Sequence, residues 1–140
     1  MSDKDTWLRI PTEILTQGRV DLVDEIFAED YIEHEVPPPG IPATREGLKL
    51  YLTAYRQAFP DLKIEILQQF QDGDTYIGHI RSSATMKGDF GGMPASGKSA
   101  TWEEIHIGRF SGGKLVEHWG IEDRLSMLQQ LGFVEPPPGS

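Results

Sequence analysis

Residues 98–122 read KSATWEEIHIGRFSGGKLVEHWGIE. Two runs rich in β-branched and aromatic residues flank Ser111-Gly112-Gly113. The pattern predicts strands over 98–110 and 114–122 joined by a hairpin turn. Alternation puts Trp102, Glu104, His106, Gly108 and Phe110 on one face of the first strand. Thr101, Glu103, Ile105, Ile107 and Arg109 take the other. In the second strand Val116, His118, Gly120 and Glu122 share a face opposite Leu115, Glu117, Trp119 and Ile121. Whether Glu104, His106 and His118 meet on one surface depends on register, which these strings leave open.

Working upstream, residues 75–87 are β-branched and aromatic enough for another long strand, and Gly88 to Gly97 is a loop. Leu62, Ile64 and Ile66 alternate with Lys63 and Glu65, a half-buried strand closed by the turn signal Asp72-Gly73-Asp74. Before them the period is helical. Leu48, Leu52, Tyr55 and Phe59 form one helical face, with Thr44 as N-cap and Pro60 as stop. Val36 to Pro42 is a stiff, proline-rich surface loop, and 31–35 is extended. Asp21 is expected to cap a short helix with Asp24 three positions on. Trp7, Ile10, Ile14 and Leu15 form an earlier helical stripe that Pro11 either begins or kinks. Downstream, Asp123 caps a last helix over 124–131, closed by Gly132. Helices first and antiparallel strands after predict an α+β fold: a curved sheet with helices on its concave face, enclosing a pocket.

Composition narrows the chemistry. The chain has 140 residues, 13 Lys+Arg against 22 Asp+Glu, a net charge of −9 and no Cys. That length predicts a single domain over 1–135 with a frayed tail over 136–140. The negative charge excludes nucleic acid and anionic membrane as partners, since both need a positive surface. The absence of Cys excludes disulfides, thiolate metal sites and a Cys nucleophile, and fits a cytoplasmic protein. The polar, acidic N-terminus shows no signal peptide. There is no recognisable metal, P-loop or nucleophile-elbow motif. Chemistry must then come from His, carboxylates, hydroxyls and aromatics.

The catalytic candidates are His106, His118, Glu122 and Asp123. The substrate-binding candidates are His34, at a pocket mouth, with Tyr51, Tyr55, Met86, Met93, Trp102 and Glu104. Each has an ordinary structural alternative: a hydrogen-bonded core histidine, a helix cap for Asp123, packing for the aromatics and methionines. His79 reads more as structural than functional, and Arg81 and Arg109 as paired surface charges.

Several separated motifs, in order, resemble the SnoaL-like polyketide cyclases of the nuclear transport factor 2-like superfamily. Gln17-Gly18 through Asp21, Val23-Asp24-Glu25-Ile26-Phe27-Ala28, Asp30-Tyr31 and His34 are similar to the family's opening. So are Arg45-Glu46-Gly47-Leu48, Ala58-Phe59-Pro60-Asp61-Leu62, Gly92-Met93-Pro94 and Gly113-Lys114-Leu115-Val116-Glu117-His118-Trp119. The resemblance implies a cone-shaped α+β fold, a sheet-mediated homodimer and no metal or cofactor. It implies general acid/base closure of a polyketide ester ring by intramolecular aldol condensation. His106 matches a pocket histidine of the family. The family's catalytic Asp falls at position 120, where this chain has Gly120. Two classes of function stay open: a cofactor-independent cyclase, isomerase, dehydratase or epoxide-opening hydrolase acting on a hydrophobic carbonyl compound, or a non-catalytic small-molecule binder.

Overall fold

Strand β4 (Ser99–Ser111) and strand β5 (Lys114–Glu122) form the expected hairpin in the computed structural model, which describes residues 1–136 and 138–139. Their register sets Glu104 opposite Glu122, His106 opposite Gly120 and Gly108 opposite His118. The polar residues of both strands therefore share one face. The ladder slips between Arg109 and Phe110, so Phe110 pairs with Leu115 and Val116 is left over. This bulge corrects the strict alternation expected of β5: Leu115 turns inward and is fully buried.

β4 also pairs with β3 (Thr75–Thr85), and β3 with β2 (Lys63–Asp72), both antiparallel. β1 (Phe27–Glu33) starts earlier than expected and runs parallel to β5. The five strands make one curved, open sheet in the order β1-β5-β4-β3-β2.

The helices cover the concave face. Helix α1 (Asp3–Arg9) has a Ser2 capping box with Asp5. It continues into a π-helical stretch, Ile10–Thr16. Pro11 neither starts nor ends this helix. It has no N–H to offer Trp7, whose carbonyl instead accepts from Ile10, and the turns widen. A 3-10 turn, Val20–Leu22, leads into the short helix α2 (Val23–Ile26). No side chain caps that turn. Asp21 pairs with Arg19 at 2.9 Å and Asp24 with Lys49 at 3.0 Å, so the expected cap is replaced by ion pairs.

Helix α3 (Arg45–Ala58) starts as its sequence predicts, with Thr44 Oγ1 accepting from the Gly47 N–H at 3.1 Å. It buries Leu52, Tyr55 and Ala58 against the sheet. Helix α4 (Arg124–Leu131) is capped by Asp123 and ends at Gly132, whose φ of 91° suits glycine. Two apolar clusters result. One gathers Trp7, Ile14, Phe27, Phe110 and Leu115; the other gathers Phe59, Met86, Trp102 and Leu131. Among the described residues no helix is long and apolar enough to cross a membrane. Pro137 and Ser140, part of the expected tail, lie outside the described residues.

Candidate functional site

Glu104 is a carboxylate in the interior, only 9% exposed. Such burial is costly unless donors surround the charge. Here Glu104 Oε2 accepts from Ser82 Oγ at 3.0 Å and from the Trp102 indole N–H at 2.8 Å. Oε1 lies 2.8 Å from Nε2 of His106. Burial pushes this carboxyl up. The bond and charge of His106, with Ser82 and Trp102, outweigh it and hold the group below its ordinary 4.5. His106 is the mirror case. Burial pulls its imidazole down, but Glu104, with the charges of Glu35 and Glu122, holds it above its ordinary 6.5.

The relay continues across the sheet. His106 Nδ1 and His118 Nε2 share a hydrogen bond of 2.9 Å, and His118 Nδ1 meets Glu33 Oε2 at 2.5 Å. Glu33 also accepts from the Tyr31 hydroxyl at 3.2 Å and from the Glu35 backbone N–H at 3.2 Å. Carboxylates only accept, so the outer nitrogen of each ring carries a hydrogen. Two neutral rings would then face each other lone pair to lone pair. A proton on His106, which Glu104 favours, resolves that contact.

These groups form the polar end of a cavity of about 150 Å³. Trp7, Ile14, Leu48, Leu52 and Ile80 supply apolar wall, and the 36–44 loop borders it. Tyr51 and Tyr55 also line the cavity. Burial pushes both phenols up, as do nearby carboxylates, so they stay protonated and able to donate. Glu122 lies at the same end, held by Arg124 at 2.7 Å. Burial and the charge of Glu104 push it above the usual carboxylate value despite that partner.

The sequence candidates thus divide. Glu104, His106, His118, Glu122, Tyr51 and Tyr55 line the cavity. His34 does not. It turns to the outer face of the sheet, stacks on Trp119 at 4.7 Å and bonds Glu117 at 2.7 Å. Asp123 is exposed and caps α4 through the Ser126 N–H. Met86 is fully buried in the second apolar cluster, and Met93 packs on that cluster from the 88–97 loop. Trp102 sits behind the cavity wall and reaches it only through Glu104. His79 bonds Gln68 and Glu103 on the outer face.

Two further cavity residues, Glu33 and Glu35, are not among the sequence candidates. They flank His34 in an extended stretch, so alternation turns them inward when His34 turns outward. Glu35, His106 and His118 each bring one ligand atom within 4.8 Å of the others. A two-histidine, one-carboxylate set of this kind could hold a divalent cation.

Comparison with known proteins agrees with this architecture. The family model described as SnoaL-like polyketide cyclase matches residues 6–131. The aklanonic acid methyl ester cyclase DnrD of Streptomyces peucetius is 27% identical over 99% of this chain and 97% of its own length. The aklanonic acid methyl ester cyclase DauD of Streptomyces sp. (strain C5) is 28% identical over 99% of this chain and 87% of its own. Among solved structures, IdmH of Streptomyces antibioticus superposes with a TM-score of 0.78 at 28% identity, covering 94% of this chain and 99% of that one. TsrD of Streptomyces laurentii shares the fold, with a TM-score of 0.79 at 21% identity over 94% of this chain and 93% of that one. The family match runs through both histidine strands and every helix that walls the cavity, and the chain belongs to the SnoaL-like polyketide cyclase family.

Proposed function

We propose that this protein closes a ring of a polyketide ester by intramolecular aldol condensation, using its own acids and bases. The observation that carries this reading is the Glu104–His106–His118–Glu33 relay at the polar end of an otherwise apolar cavity. Apolar walls suit a flat, conjugated substrate. The ring pair supplies a held proton beside the place where an enolate oxygen would develop, and Tyr51 and Tyr55 are further donors. The two relatives named as aklanonic acid methyl ester cyclases support the substrate class.

The first experiment offers aklanonic acid methyl ester and separates substrate from cyclised isomer by chromatography. Conversion by the wild type, lost in His106→Gln, supports the reading. A second reading, a binder without turnover, draws on Gly120, which leaves the inward face of β5 without a carboxylate between His118 and Glu122. Tight binding of the ester with no conversion would favour it.

The protein would work as a homodimer through the outer sheet face. Ile105 opposes Ile121 there, Ile107 opposes Trp119, and Ile77 opposes Phe70. Ile121 is 79% exposed and Phe70 56%. Arg81–Glu65 and Arg109–Glu117 pairs lie on the same face. An apolar band with both charge signs at its edges suits a self-complementary two-fold contact.

A further inference from the structure

Four carboxylates line the cavity: Glu33, Glu35, Glu104 and Glu122. A proton-accepting base needs a lone pair that is not already engaged. Glu33 and Glu104 each accept from three donors, and Glu122 is tied through Oε1 to Arg124. Glu35 differs. Its backbone N–H donates to Glu33, but among the described residues its carboxylate accepts no hydrogen bond and forms no ion pair.

The reason Glu35 fits where it does lies on β5. A Cβ added to Gly120 would sit 2.5 Å from Glu35 Oε2 and 2.9 Å from His106 Nδ1. The missing side chain of Gly120 is therefore the space that the Glu35 carboxylate uses to approach the two rings. Any larger residue at 120 would push it away.

We propose that Glu35 is the base of this site, delivered from the end of β1 into the gap above Gly120. This rests on the cyclase reading above. Glu35 takes the proton from the carbon alpha to the ester carbonyl. The C–H pair becomes the enolate, whose oxygen is stabilised by the proton held between His106 and His118. The enolate carbon then forms the new C–C bond at a ketone carbon. The carbonyl π pair becomes an alkoxide, which takes a proton back from Glu35. No atom is gained or lost, and the enzyme returns to its starting protonation.

The test compares wild type and Glu35→Gln, which keeps size and removes the basic oxygen. With aklanonic acid methyl ester in deuterated buffer, two rates are read: deuterium entry at the alpha carbon and ring closure. The expected result is a fall in kcat of about 100-fold or more, in the range general bases supply, with KM little changed. A nitrogen-15 NMR titration of the free protein is read alongside. The His106 imidazole should lose its proton at lower pH in Glu35→Gln, because one of the negative charges that favour its protonated form has gone. Equal turnover by both proteins would overturn the assignment of Glu35 and leave the cyclase reading standing. Activity lost on dialysis against a chelator and restored by a divalent cation would also overturn it, making Glu35 a ligand. If the wild type leaves the ester untouched, the cyclase reading fails on its own. The titration then decides Glu35: an unmoved midpoint overturns its placement, and a downward shift supports it.

Discussion

His106 and His118 face each other through Nδ1 and Nε2 at 2.9 Å, while Glu104 and Glu33 hold their outer nitrogens. This contact joins the two rings into one hydrogen-bonded chain between two carboxylates.

A pH dependence of stability follows for the Glu104–His106 pair. His106 sits above its ordinary 6.5, so its contribution is complete below that value and fades as pH rises through its raised pKa. Glu104 sits below its ordinary 4.5, so its contribution is complete above that value and fades as pH falls through its lowered pKa. The window of full stabilisation thus runs between 4.5 and 6.5. Melting temperatures of wild type and Glu104→Gln should differ most inside it, with the gap narrowing on either side.

Glu104→Ala should be among the most damaging changes. It strands the Ser82 hydroxyl, the Trp102 indole N–H and the His106 ring. Breaking a buried charged pair costs about 3–5 kcal/mol. Urea titration should show the midpoint falling accordingly, with an unchanged m-value.

Gly108 and Gly120 both lie on the inward face, yet alanine should act differently at each. At 108 a Cβ would meet the Trp7 ring at 2.5 Å and Leu115 at 3.0 Å. Both are packed core groups, so Gly108→Ala should cost about 1–3 kcal/mol of stability. At 120 a Cβ would meet the end of the Glu35 side chain at 2.5 Å, which can swing aside, and His106 Nδ1 at 2.9 Å, in a ring that Glu104 and His118 hold. Gly120→Ala should lower the melting temperature less than Gly108→Ala does and lower kcat. Calorimetry and turnover on the same samples read both.

Ile121→Lys places a charge on the outer apolar band, opposite Ile105. Sedimentation should show the wild type as a dimer and this variant as a monomer. A wild-type monomer at high concentration would contradict the proposed interface.

Much of this site could be read from the sequence because strand alternation is local. Period two places Glu104 with His106 and His118 with Glu122, and helix-end chemistry gives Asp123 and Gly132, while the register that brings the two strand faces together comes from the fold. What escaped is non-local. The parallel pairing of β1 with β5 puts Glu33 beside His118, and nothing in either segment announces it. His34 drew attention as a histidine, although alternation within 31–35 turns Glu33 and Glu35 inward whenever His34 faces out. The Val116 bulge reverses Leu115 against strict alternation. Met86 and Met93 have the apolar character of a pocket wall, but the packing of α3 and α4 commits them to the second cluster.

The most direct test of the account is the turnover of aklanonic acid methyl ester by wild type and His106→Gln, with circular dichroism confirming that both are folded. The account predicts a cyclised isomer from the wild type and a rate lower by about 100-fold or more in the variant. Equal rates from the two proteins would contradict it.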